Sequence, residues 1–282
     1  MQTHSPVHVI GASGRSGQAL CAALGDRVIP VIRNPARWTG AVPPRIADLE
    51  GAGLTAALHD ASVVVSCAHA RHIPAILAAA PRTARFVFFG STRKFTRWPD
   101  AHGNGVLAGE AAFLASGRQG VLLHPTMIYG AEGEDNVQRL SALLRRLPLV
   151  PLPGGGRALV QPVHQSDLTR AVLAAIRVEW PGAESLVIAG PTALPYAGFV
   201  RAVARAAGLR PPRIVGVPRA LLLLAAPLTR LPGLPRIRGE EIRRLMEDKA
   251  FDIGPMQQKL GFTPLSLDQG LALTFAKAPS CP

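Results

Sequence analysis

Seven residues near the amino end have the types and spacing to hold a phosphate. Gly11-Ala12-Ser13-Gly14-Arg15-Ser16-Gly17 stands between a short apolar run, Val7–Ile10, and a helical pattern that starts at Gly14. In that place Gly11 permits a tight turn, Gly14 lets the backbone approach a diphosphate, and Gly17 lets a helix lie close to a strand. The helix start adds unpaired N–H groups and positive potential. The spacing is G-x-x-G-x-x-G rather than the G-x-G-x-x-G of the simplest dinucleotide sites. A second signal follows at Val31-Ile32-Arg33-Asn34, the end of the next strand pattern. A site built for NAD usually carries Asp or Glu there to accept from the ribose 2′-hydroxyl. None occurs between Val28 and Trp38. Arg33 and Arg37, with Arg15 in the glycine loop, instead offer guanidinium groups that suit a 2′-phosphate. The expected cofactor is therefore NADP(H) in preference to NAD(H).

Fewer residues carry proton or nucleophile chemistry. Ser91 follows a strand pattern, where its hydroxyl can hydrogen-bond a substrate carbonyl or simply satisfy a loop. His102 can give or take a proton near neutrality, although Pro99–Gly105 also reads as a glycine-rich surface loop. His124 can orient a cofactor or serve structure. His69 and His72 read more simply as solvated or capping residues, Tyr129 as a residue that packs in its loop, and His164 and Asp167 as residues that cap and orient a helix. Of the eight histidines only His4 and His8 have the His-x-x-x-His spacing, and they run into the strand pattern Val7–Ile10 rather than along a helix; no G-x-S-x-G elbow is present. Neither a metal centre nor a serine hydrolase is expected. Cys21, Cys67 and Cys281 read as reduced thiols in a reducing compartment.

The elements needed to position these groups are legible as alternating patterns. Strand candidates are Val7–Ile10, Val28–Ile32, Arg45–Ala47, Ser62–Cys67, Arg85–Phe89 and Val121–His124. Helical patterns at Gly14–Leu24, Leu54–His59, Ile73–Ala80 and Gly105–Ser116 lie between them. This alternation predicts an α/β fold, a Rossmann-type doubly wound parallel sheet. Pro151-Leu-Pro-Gly-Gly-Gly156 reads as loop or turn. A helix is expected at Ser166–Arg177, capped by Ser166 or Asp167, and a strand at Leu186–Ala189. Residues 1–190 form the expected nucleotide-binding domain, with about 125–162 contributing to a second lobe. That smaller, mostly helical lobe is 191–282.

Composition narrows the classes further. The 282 residues are 48% hydrophobic and 17% charged, so the chain can bury a full core. Its formal net charge of +13 would suit nucleic acid. The basic residues are scattered from Arg15 to Lys277, however, and aromatics at 5% are too few for base-stacking platforms. No specific nucleic-acid partner is expected, and the charge is better read as solubility or as steering of anionic ligands. The apolar run Ala220–Ala226 is far shorter than the roughly 20 residues that cross a bilayer. A cytoplasmic protein with no transmembrane segment is expected. Surface attachment near Leu221–Leu224, between Arg219 and Arg230, competes with a packed helix there.

With these residues in hand, the chain resembles the atypical and extended short-chain dehydrogenase/reductases, the NAD(P)-dependent epimerase/dehydratase-like group. The resemblance runs through Gly11–Gly17, Ala47-Asp48-Leu49, Val63–Ala68, Phe86–Thr92, His124-Pro125-Thr-Met-Ile-Tyr129-Gly130, Gln161–Asp167 and Leu260-Gly-Phe-Thr-Pro264. It implies that Asp48 and Leu49 contact the adenine. It implies too that Cys67 and Ala68 border the adenosine ribose, and that His124 and Pro125 lie beside the nicotinamide. Ser91 stands at the active-site serine. One departure is plain. Counted back from Glu110, the family's Tyr-x-x-x-Lys slots fall at about His102 and Val106, so the usual dyad is absent.

Two functional classes follow. One is an NADP(H)-dependent oxidoreductase or epimerase-like isomerase with a non-standard active site using Ser91 and His102. Its second lobe, rich in Leu, Pro and Arg, suggests a small carbonyl, quinone, lipid-like or nucleotide-linked substrate. The other is a non-catalytic NADP(H)-binding redox sensor or assembly protein. A monomer or homodimer is expected in either case.

Overall fold

A computed structural model describes residues 5–51, 53–130, 136–147, 149–218, 220–221 and 243–276. Its strands are β1 Val7–Ile10, β2 Val28–Ile32, β3 Arg45–Ile46, β4 Val63–Ser66, β5 Arg85–Phe89, β6 Gly120–Pro125, β7 Ile128–Tyr129, β8 Leu149–Pro153, β9 Leu159–Val160, β10 Val163–His164, β11 Ala183–Ile188, β12 Leu194–Pro195 and β13 Arg213–Val217. The helices among the described residues are α1 Arg15–Leu24, α2 Gly53–Leu58, α3 Ile73–Ala79, α4 Ala101–Leu114, α5 Asn136–Leu144, α6 Gln165–Arg177, α7 Tyr196–Ala206, α8 Gly254–Leu260 and α9 Leu267–Phe275.

Seven strands form one sheet in the order β11-β6-β5-β4-β1-β2-β3, and every pairing in it is parallel. The central strands are apolar on both faces because each face feeds its own core. Val9, Val65, Val87 and Val121 pack against α1, α6 and α8. Ile10, Val64, Phe86 and Phe88 pack against α2, α3 and α4 on the other side. Alternation within near-continuous apolar runs is what a sheet covered twice requires. The doubly wound fold is thus as expected.

Beside the sheet, a smaller lobe draws on both later parts of the chain. Val137, Val160, Phe199 and Leu271 share one core, and Leu144, Val150, Leu152 and Val200 share the next. Two local expectations are corrected here. Pro151–Pro153 belongs to strand β8, which pairs in parallel with β13 alone. A two-stranded ribbon leaves one side of each strand unpaired, so the missing proline N–H groups are tolerated. The lobe accordingly carries strands β12 and β13 as well as helices. Helix α6 is capped by neither Ser166 nor Asp167: His164 is the N-cap, its side chain accepting from Ser166 N–H. The run Ala220–Ala226 falls almost wholly outside the described residues, as does Cys281. Among the described residues, no helix is long and apolar enough to cross a membrane.

Candidate functional site

Because the seven strands are parallel, their carboxyl ends share one edge. The chain winds one way through β1, β2 and β3 and the other way through β4, β5 and β6, so the direction reverses between β1 and β4. Open α/β sheets bind ligands at such a reversal. Gly11 leaves β1 at this point with φ 74°, and its N–H donates to the Val31 carbonyl at 3.0 Å. Cys67 and Ala68 lie directly beneath it; a Cβ on Gly11 would come within 3.3 Å of the Ala68 nitrogen. At Gly17 a Cβ would stand 2.3 Å from the Gly11 carbonyl oxygen, so only glycine lets α1 start this close to the turn. Gly14 is the N-cap of α1, without a side-chain cap and with no acidic residue in the first turn. The helix start is therefore left for an anion to satisfy. Exposed Gly14 and Arg15 form its rim. Ser16 donates to Gln165 Oε1 at 2.9 Å and ties α1 to α6. These residues fit the diphosphate of a dinucleotide.

The ends of β2, β3 and β4 make the next corner. Arg33 and Arg37 are exposed there, Arg37 in a 3₁₀ turn whose cap, Asn34, accepts from Ala36 N–H. Asp48 turns back on its own loop, accepting from Glu50 N–H at 3.1 Å. His72 faces this corner: burial and Arg71 hold its imidazole below the usual range, Glu50 and Asp48 oppose them, and Arg33 adds to them. The sequence alone marks His72 as a capping or solvated residue. Its place beside Arg33 and Asp48 depends on a 3₁₀ turn after β4, Ala70–His72, for which no periodic signal exists.

Beyond β5 the chain builds a buried polar cluster. Ser91 accepts from Arg93 N–H at 3.2 Å and so caps the 3₁₀ turn Thr92–Phe95. Its hydroxyl proton remains available to an acceptor. The Ser91 N–H donates to His124 Nδ1 at 3.2 Å, which leaves Nε2 as the protonated nitrogen of a neutral ring. Nε2 then donates to Glu110 Oε1 at 3.2 Å. Lys94 Nζ meets both Glu110 oxygens, at 2.5 and 2.7 Å. Burial and the neighbouring Lys94 ammonium push the His124 imidazole down to about 4, against the pull of Glu110. Burial raises the Glu110 carboxyl, but Lys94 and His124 outweigh it and the net shift is downward. His124 is fully buried and is joined to Ser91 through that residue's backbone N–H. Pro125 is buried beside it, its carbonyl accepting from Thr92 Oγ1 at 3.3 Å.

Helix α4 begins four residues earlier than the expected Gly105, because Asp100 caps it by accepting from Gly103 N–H. Pro99–Gly105 is thus mostly helix rather than loop. This places His102 in the first turn, exposed, with its ring edge-on to His69 at 4.4 Å. Partial burial and then Arg93 hold the His102 imidazole below its usual range. His69 caps the turn after β4 through Nδ1, which accepts from Arg71 N–H at 3.1 Å. Val106, at the other dyad slot, lies in the apolar core. Tyr129 is buried, with its hydroxyl turned toward the Leu267 carbonyl of α9 at 3.5 Å.

The cysteines Cys21 and Cys67 are free, and no metal-holding group of His, Cys, Asp or Glu occurs among the described residues. A groove of about 770 Å³ runs beside α1, between Gln18, Trp38 and Val42 on one side and Gln165 and Ser166 on the other. It meets the glycine loop only at Arg15 and does not reach Ser91.

No protein-family model matches the chain, and no curated protein matches it by sequence. Solved structures match in fold. MoeE5 in complex with UDP-glucuronic acid and NAD is 22% identical, with a TM-score of 0.71 over 96% of this chain and 98% of that one. The UDP-glucose 4-epimerase of Thermotoga maritima is 15% identical, TM-score 0.74 over 96% and 97%. The NADPH-dependent quinone oxidoreductase of Escherichia coli, complexed with NADPH, is 17% identical, TM-score 0.72 over 95% and 99%. The chain shares the fold of these proteins, a Rossmann-type parallel sheet covered by helices on both faces. At such identities the likeness is one of fold.

Proposed function

We propose that the chain is an NADP(H)-dependent oxidoreductase, or an isomerase using the same cofactor, that acts on a small carbonyl compound of quinone, lipid-like or nucleotide-linked kind. The observation that carries this reading is the start of α1 above Cys67 and Ala68, where N-cap Gly14 makes no side-chain cap and the first turn holds no acidic residue, set on the same sheet edge as Ser91. The fold neighbours, which include complexes with NAD and with NADPH, support a nicotinamide cofactor.

In this reading the amides of Gly11–Gly17 take the diphosphate, and Arg33, with Arg37 and Arg15 nearby, takes the 2′-phosphate. Asp48 and Leu49 border the adenine. When bound, the nicotinamide supplies or accepts a hydride. Ser91 donates its hydroxyl proton to the substrate oxygen, and His124 with Glu110 holds the Ser91 backbone in place. His102, neutral at pH 7 by the direction of its shift, gives or takes the proton that the absent tyrosine would handle.

One observation favours a second reading. Lys94, the lysine nearest the dyad slots, is committed to Glu110, and Val106 is core. No ammonium is left on α4 to activate an acid, as a cofactor-binding sensor or assembly protein would tolerate. Purified protein mixed with NADPH and a panel of quinones, enones and aldehydes separates the two. The enzyme reading expects NADPH consumption that falls about a hundredfold in Ser91→Ala. Tight NADPH binding without turnover across the panel would leave the sensor.

A further inference from the structure

Just beyond Ser91 the surface turns apolar. Phe95 is 53% exposed, Trp98 42% and Met246 45%. They form one patch, because the chain around Met246 is laid across the 94–98 loop. Glu247 accepts from Thr96 Oγ1 at 2.8 Å and from Arg97 N–H at 2.7 Å. Phe251 packs on Phe95 with ring centroids 5.5 Å apart. Arg243 lies over the Trp98 ring at 5.4 Å. None of these residues lines the 770 Å³ groove beside α1.

Basic groups dominate the rim: Arg97 and Arg243 are exposed there. Of the nearby carboxylates, Glu247 accepts from Thr96 and Arg97 N–H, Asp100 from Arg93 at 2.7 Å and Gly103 N–H, and exposed Asp248 from Leu159 N–H at 2.8 Å. The lobe that supplies Met246 continues the theme. Between Glu184 and Glu240 the sequence has no Asp or Glu and eight Arg. Exposed Trp, Phe and Met ringed by arginine match the boundary of an anionic bilayer, where rings enter the interface and guanidinium groups stay with the headgroups.

We infer that Phe95, Trp98 and Met246, with Arg97 and Arg243, dock the protein on the surface of an anionic lipid membrane. Phe95 ends the 3₁₀ turn that Ser91 caps, so a docked molecule holds the Ser91 edge near the bilayer. The inference stands apart from the cofactor assignment, since no residue of the patch belongs to the dinucleotide crevice.

Co-sedimentation of the full chain with phosphatidylcholine vesicles, with and without phosphatidylglycerol, tests it. Binding is expected to the anionic vesicles, weakening as salt rises. It should fall about tenfold or more in Phe95→Ser/Trp98→Ser, and also in Arg97→Glu/Arg243→Glu, which leaves the aromatic rings in place. A thermal melt checks that both variants remain folded. Brominated lipid should quench wild-type fluorescence and lose that quenching in Trp98→Phe. The inference is overturned by failure to bind anionic vesicles at low salt, by equal binding to phosphatidylcholine alone, or by binding that both double variants retain. It is likewise overturned if sedimentation velocity shows a dimer that Phe95→Ser/Trp98→Ser dissolves, which would assign the patch to a second copy of the chain.

Discussion

His124 is a fully buried imidazole whose ring lies between the Ser91 N–H and the Glu110 carboxylate. Its place at the end of β6, beside which the resemblance puts the nicotinamide, marks it as a candidate site residue. What the sequence withholds is that Lys94, thirty positions earlier, supplies the cation that Glu110 then needs. The only local hint is that Glu110 shares a helix face with Val106, Gly109 and Phe113, all buried, where an unpaired carboxylate would be costly. The buried neutral ring has a consequence for stability. His124 sits at about 4 when folded, against 6.5 for the free group. The unfolded chain therefore binds more protons between those values, and stability rises with pH across them. Its contribution is complete above about pH 6.5 and is lost as pH falls to about 4, on the order of 3 kcal/mol at about 1.4 kcal/mol per pKa unit. Glu110, also shifted down, loses its share lower still, as pH falls below the usual carboxylate range. Urea midpoints measured from pH 7 to pH 4 should show this slope in the wild type and a shallower one in His124→Gln. Identical slopes would show that the ring is not held neutral.

At the scale of elements, strands were easier to read than helix ends. β1, β2 and β5 fall where their β-branched and aromatic runs predict, because those runs pack on both faces of the sheet. The start of α4 was missed because glycines at 103 and 105 disguise a helix, and only the Asp100 cap, a single hydrogen bond to Gly103, fixes it. β8 was missed because its prolines mark a break in any strand that needs two neighbours, and β8 has one. The turn from β1 into α1 was read correctly from glycine spacing alone, since close approach leaves no substitute there. Gly17→Ala tests that element. Its methyl would press on the Gly11 carbonyl and on Ala12 Cα at 2.8 Å, backbone atoms that no rotamer change can move. A loss of about 1–3 kcal/mol in stability, with at least a tenfold loss of NADPH affinity, is expected from melting and titration of the same variant. Unchanged affinity would mean that α1 does not hold the diphosphate.

Across the whole molecule, a parallel sheet collects groups that are far apart in sequence onto one edge. Gly11, Arg33, Asp48, Ala68 and Ser91 each follow a strand, so topology alone makes them neighbours. The opposite edge serves stability: Arg45 and the buried His8 converge there on Asp60, with Arg45 Nη1 at 2.6 Å from Oδ1. The Arg45 guanidinium holds the Asp60 carboxyl well below the usual carboxylate range. Over this frame the net charge of +13 favours anionic ligands at long range, but only placed guanidinium groups can tell a 2′-phosphate from a hydroxyl. That distinction is the centre of the account, and calorimetric titration of the wild type and Arg33→Asp with NADPH and NADH tests it most directly. The wild type should bind NADPH about 10- to 100-fold more tightly than NADH, the span of one charge-assisted contact to a phosphate, and Arg33→Asp should lose NADPH affinity while largely keeping that for NADH. Equal losses for both dinucleotides, or no heat with either in the wild type, would contradict it.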